Sequence, residues 1–99
     1  MLAFTSVRIV GPSMEPGFRN GDWWLVRRLT SFQPGQVVLM THPERPHALI
    51  VKRLARRDPD GWWVLGDNRT MSEDSRAFGH VPPESLIGKL VWRYWRQRL

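Results

Sequence analysis

A chain of 99 residues has room for one domain with one core, and 41% apolar with 24% charged residues is the balance of an ordinary globular fold. The absence of cysteine excludes disulfides, thiol catalysis and cysteine-ligated zinc; His42, His47 and His80 lie far apart without paired ligand spacing, so neither metal nor cofactor is expected. A net charge of +6, carried mostly by arginine, suits an anionic partner (nucleic acid, lipid or an acidic polypeptide) without choosing among them.

No uncharged run approaches the roughly 20 residues that cross a bilayer. The opening MLAFTSV is too short for a secretory leader and has no basic start, so the expected location is the cytoplasm. In chain order, β-rich runs are predicted at residues 6–10, 22–28, 36–41, 47–56, 62–65 and 86–95. Turn residues separate them: Asn20-Gly21, Pro34-Gly35, Pro43 and Pro46, Asp58-Pro59-Asp60-Gly61, and Pro82-Pro83. Asp60-Gly61 between two apolar runs predicts a hairpin. One helical turn is expected around residues 12–18, and the polar stretch 66–79 reads as a long, ordered loop. The fold class is therefore all-β, in a single domain over residues 1–99. Trp23-Trp24 and Trp62-Trp63 each place one indole on either face of a strand, so one of each pair should pack inward.

Three stretches could carry chemistry. In GPSMEP, two prolines and Gly11 restrict and aim the backbone around Ser13, a candidate nucleophile whose own N–H could face an oxyanion. Such a loop is also an ordinary turn, and Glu15 rules out the Gly-x-Ser-x-Gly elbow. A serine nucleophile needs a base, and no histidine here has a neighbouring carboxylate in sequence. Surface or structural roles are expected for all three. Lysine can serve only when neutral, which takes a drop of roughly three pKa units, or about 4 kcal/mol against the charged form. In HALIVKRLAR, Lys52 shares a face with Ala48, Ile50 and Leu54, while Arg53 points the other way to solvent. An edge strand along which the lysine snorkels would give the same pattern. Lys89 shares its face with Arg93 and reads as solvated. Finally, GDNRTMSEDSRAFGHVP gathers Asp67, Asn68, Ser72, Asp74, Ser75 and Arg76. Asp74 and Arg76 could pair and pin the loop, and Ser72 and Ser75 could hold a neutral amine by hydrogen bonds.

Ser13-Met14-x-Pro16, then Gly21-Asp22, Val51-Lys52-Arg53, and Gly66-Asp67-Asn68 running on to Ser72, Asp74, Ser75, Arg76 and Gly79, together resemble the signal peptidase I family, box by box and in order. The resemblance implies a Ser–Lys endopeptidase on a signal-peptidase-like fold of small, strongly twisted antiparallel sheets. It implies Ser13 as nucleophile, Lys52 as general base and Ser72 as the residue that hydrogen-bonds the lysine. Asp67, Asn68, Asp74 and Arg76 become structural members of the last box. Two departures stand out. Gly11 occupies a position where many bacterial members carry a serine that supports the oxyanion, and only residues 54–63 separate the lysine strand from the last box, so the inserted domain is absent. The membrane anchor also has no counterpart. This minimal form is similar to the small proteases that mature nickel-containing superoxide dismutase.

The expected partner is a precursor polypeptide, bound extended, with the nickel superoxide dismutase precursor as the specific candidate and no nucleic acid. Alternatives are a leader peptidase acting at a membrane, where the tail LVWRYWRQRL could touch anionic lipid, a self-cleaving repressor domain, an inactive adaptor, and a small basic nucleic-acid-binding β module.

Overall fold

The computed structural model describes residues 3–96. Six strands form: β1 (Phe4–Arg8), β2 (Trp23–Arg28), β3 (Val37–Thr41), β4 (Leu49–Asp58), β5 (Gly61–Leu65) and β6 (Leu86–Trp95). They join one sheet in the order β1-β2-β6-β3-β4-β5, and every pairing is antiparallel. The all-β expectation holds, and the Asp58–Gly61 turn closes the β4–β5 hairpin.

The centre of the sheet follows from one short run. Val37, Val38, Leu39 and Met40 are all buried, so β3 is covered on both faces, as a continuous apolar strand requires. Val38 and Met40 pack with Leu54, Trp62, Val64, Val81 and Leu86. Val37 and Leu39 face the other way, toward Ile9, Met14, Val26 and Leu90. The second cluster thus draws Met14, and with it the turn that carries Ser13, down onto the sheet.

Three local expectations change. Residues 12–18 form turns rather than a regular helix, closed by Glu15 N–H to Pro12 O at 3.1 Å and Phe18 N–H to Met14 O at 3.1 Å. The polar stretch expected to be a loop contains a 3₁₀ turn at Arg69–Met71 and a short helix, α1 (Ser75–Phe78). The start of α1 is capped by the Asp74 side chain, which accepts from Arg76 N–H. Side-chain capping, which needs no apolar period, is why the hydrophobic pattern did not reveal it. The tryptophan rule holds for one pair only. Trp62 is buried and Trp63 half-buried, but Trp23 and Trp24 are both half-buried because the β2–β6 register slips between them.

Candidate active site

Gly11 ends the run out of β1 with φ +84, a left-handed conformation that glycine adopts without penalty, and its N–H donates to Asn20 Oδ1 at 2.9 Å. The chain then turns through Pro12 to Ser13. Two bonds from the last box hold this turn: Asn68 N–H donates to Ser13 O at 2.9 Å, and the Asn68 side-chain amide donates to Pro12 O at 3.1 Å. Met14 is 1% exposed and lies under the turn. Among the described residues, the Ser13 backbone N–H has no hydrogen-bond partner.

Lys52 reaches the same point from β4. It pairs across the ladder with Val38 and lies in register with Leu54, on the face that builds the Trp62 cluster. The side chain is only 4% exposed, and its Nζ stands 3.0 Å from Ser13 Oγ. Burial lowers the lysine pKa from its ordinary value near 10.5, and the negative charges of Asp74 and Glu73 raise it back in part. The pair is therefore a hydroxyl beside an amine whose charged form is disfavoured.

The last box wraps this pair. Burial of the Asp74 carboxyl pushes its pKa up. Hydrogen bonds from the Arg76 side chain and from the backbone N–H groups of Gly66 and Arg76 outweigh that, with a smaller pull from the nearby Ser72 hydroxyl, and hold it at about 2. Asp67 takes a bidentate contact from Arg53, 2.8 Å to each oxygen, so the arginine reaches solvent as expected and is also tied to the loop and to Gly35 O. Gly66 is the close-approach point. A Cβ there would stand 2.0 Å from Ser72 Oγ and 2.7 Å from Ser13 O, so only glycine lets the box close over the serine turn.

The two loop serines behave differently from expectation. Ser75 Oγ accepts from Val64 N–H at 2.8 Å and so anchors α1 to β5 rather than holding the amine. Ser72 Oγ is buried against Gly66 and makes no well-formed hydrogen bond among the described residues, to Lys52 included, though it helps keep Asp74 ionised. Gly11 has open space where a side chain would project, so a side chain there would be opposed by the φ of +84 and not by crowding.

Sequence reasoning found no carboxylate beside any histidine, because the partners are remote in the chain. His42, 2% exposed, meets Glu73 Oε1 through Nε2 at 2.8 Å, and His80 meets Asp58 Oδ2 at 2.6 Å. Since His42 Nδ1 accepts from Glu44 N–H, the neutral ring keeps its proton on Nε2 and donates it to Glu73. Glu73, which also takes a bond from Arg45 at 3.0 Å, is the contributor to the lysine's surroundings that sequence reading missed. No group of side chains suited to a metal ion occurs among the described residues.

Beside the pair lies a cleft of about 160 Å³ between the end of β1 and the first half of β4, walled by Val7, Arg8, Ile9, Leu49, Ile50 and Val51, with Ser13 and Lys52 in its lining.

The Peptidase S24-like family profile matches residues 3–90. The chain is 33% identical to mitochondrial inner membrane protease subunit 1 of Xenopus tropicalis over 86% of its own length and 65% of the relative's. The same subunit of Homo sapiens is 28% identical over 86% of this chain and 66% of its own. Signal peptidase IB of Staphylococcus aureus is 53% identical over 32 residues, 32% of this chain and 17% of that protein. The chain thus spans just under two thirds of the length of the curated mitochondrial relatives it matches.

Proposed function

The chain belongs to the Peptidase S24-like family, with signal peptidases among its relatives, and from that premise we propose that it is a serine endopeptidase that removes an amino-terminal leader from a precursor protein. One observation carries the reading: a buried lysine amine, depressed in pKa, 3.0 Å from a serine hydroxyl at the mouth of a cleft. In the proposed cycle neutral Lys52 takes the Ser13 proton as Oγ attacks the peptide carbonyl. The unpartnered Ser13 N–H receives the developing oxyanion; with Gly11 offering no hydroxyl, this amide is the donor the chain itself supplies. The lysine ammonium then protonates the leaving amine, and water resolves the acyl-enzyme. The Asp74 charge acts on the amine, while Asn68, Asp67 and Arg76 keep the box locked to the serine turn and β4.

The substrate enters extended. Among the described residues the outer edge of β1 has no strand beside it, and β5 pairs β4 only from Arg53 onward, so Leu49–Lys52 leave the opposite edge open across the cleft. A peptide laid between them would add as a strand.

For the precursor, leader removal at a membrane is favoured over maturation of nickel superoxide dismutase. The relatives carry inner-membrane protease and signal peptidase names, and Trp92, Tyr94 and Trp95 are exposed close to arginines. No helix among the described residues is long and apolar enough to cross a membrane. Incubating the chain with a leader-bearing exported precursor and with a nickel superoxide dismutase precursor, each with wild type and Ser13→Ala, tests both levels. Cleavage by wild type alone is expected, faster on the exported precursor. If neither precursor is cut, or if Ser13→Ala cuts equally well, the peptidase reading fails.

A further inference from the structure

We infer that Arg8 selects substrates carrying a carboxylate in the residues that flank the cut bond; this rests on the peptidase reading and adds a substrate class to it.

The cleft beside Ser13 is otherwise apolar on its β1 and β4 walls, through Val7, Ile9, Ile50 and Val51. Arg8 and Lys52 are its two ionisable lining residues, and no carboxylate lines it. Since Lys52 must be neutral to act as the base, Arg8 is the one fixed charge that a bound peptide would meet there.

Four other arginines hold acids, although Arg69 in the last box forms no ion pair among the described residues. Arg53 holds Asp67, Arg76 holds Asp74, Arg45 holds Glu73 and Arg56 holds Asp58. Arg8, the last residue of β1 and exposed, has no hydrogen bond or ion pair among the described residues. A guanidinium keeps its charge at every working pH, and its fork of donors matches a carboxylate in a bidentate pair. Its position on β1 is also tied to the site's geometry. The next residue, Ile9, is 3% exposed and exchanges backbone bonds with Asp22 and Gly21, so Arg8 cannot drift away from the cleft mouth as a loop residue could. A peptide lying along the open β1 edge would run past Arg8, which lines the same cleft as Ser13.

The consequence is a charge preference written into the substrate rather than into the surface. A general attraction to the net charge of +6 would favour acidic residues anywhere in a peptide; selection by Arg8 favours them at one register position only.

The test is digestion of a proteome-derived peptide mixture by the full chain, with cut sites read by mass spectrometry, followed by matched Glu and Gln peptides made from the best-cut sequence. The expected result is Asp and Glu enriched at a single position near the cut, and a Glu-over-Gln ratio in kcat/KM of about tenfold for wild type. Within each variant that ratio cancels losses of folded protein. It should approach one in Arg8→Gln, persist in part in Arg8→Lys, and invert in favour of a Lys-bearing peptide in Arg8→Glu. Cleavage without acidic enrichment, or a ratio unchanged in Arg8→Gln, overturns the assignment while leaving the peptidase standing. No cleavage of any peptide by wild type overturns the peptidase reading and the assignment with it.

Discussion

Lys52 is held with its proton affinity lowered, first by burial, while the same amine in an unfolded chain titrates near its ordinary value, about 10.4. Between those two values the unfolded chain binds more protons, so stability rises with pH across that window, and the cost of burying the amine is greatest below it. Lys52→Met is accordingly expected to melt above wild type at neutral pH, to lose that advantage as pH climbs toward 10, and to lose precursor cleavage throughout. Calorimetry across the range checks the first two, and a variant that melts lower at pH 7 contradicts them. The reciprocal sign applies at Asp74. Its folded pKa of about 2 lies below the unfolded value of about 3.9, so its contribution is complete above roughly pH 4 and disappears as pH falls toward 2. Asp74→Asn should therefore cost on the order of 2 kcal/mol near neutrality, and urea midpoints of the two proteins should converge near pH 2. Its carboxyl is buried with Arg76, Gly66 and Ser72 directed at it, which is why it, and not the exposed Glu73, is the acid worth titrating for stability.

At the scale of elements, the last box works because backbone comes very close to backbone. Gly66 sits where a single added carbon would meet Ser72 Oγ and the Ser13 carbonyl at once. The hydroxyl could swing aside, but the carbonyl belongs to a turn fixed by Asn68 and by Met14 in the core. Gly66→Ala is expected to push the box off the serine turn. Cleavage should be lost, while the Trp62 cluster, whose other buried members lie on β3, β4, β5 and β6 apart from Val81, keeps its cooperative melt. Activity together with hydrogen exchange of residues 66–79 would register the difference; unaltered protection and activity would show that the turn can yield. The helix α1 belongs to the same arrangement. Asp74 caps it and simultaneously accepts from Gly66, and Ser75 bonds Val64, so four residues of helix bind box and sheet together.

For the whole molecule, the surface divides its labour. Four of the nine acidic side chains, Asp58, Asp67, Glu73 and Asp74, pair with arginines, the net charge is +6, and an aromatic shoulder of Trp92, Tyr94 and Trp95 stands at the end of β6, with Trp23 beside it. Aromatics with arginines suit the headgroup layer of an anionic bilayer. The chain should sediment with phosphatidylserine-containing vesicles but not with neutral phosphatidylcholine ones, less so as salt rises, and Trp92→Ser with Trp95→Ser should abolish it. Equal binding to neutral vesicles would point to apolar contact alone, and no binding at all would remove lipid from the account.

What the sequence determined by itself was whatever repeats within a few residues. Strand positions, the β4–β5 turn and the apolar register of Lys52 all follow from period-two alternation and turn chemistry. The boxes around Ser13, Lys52 and Asp74 were legible as residue types in order. Tertiary structure alone decided who meets whom. β6 slots between β2 and β3, so Ser13 and Lys52, 39 residues apart, share one hydrogen bond, and His42 finds Glu73 across 31. Periodicity tells which face a side chain takes but not what stands opposite, because that depends on strand order and on backbones packed as closely as Gly66 against the serine turn.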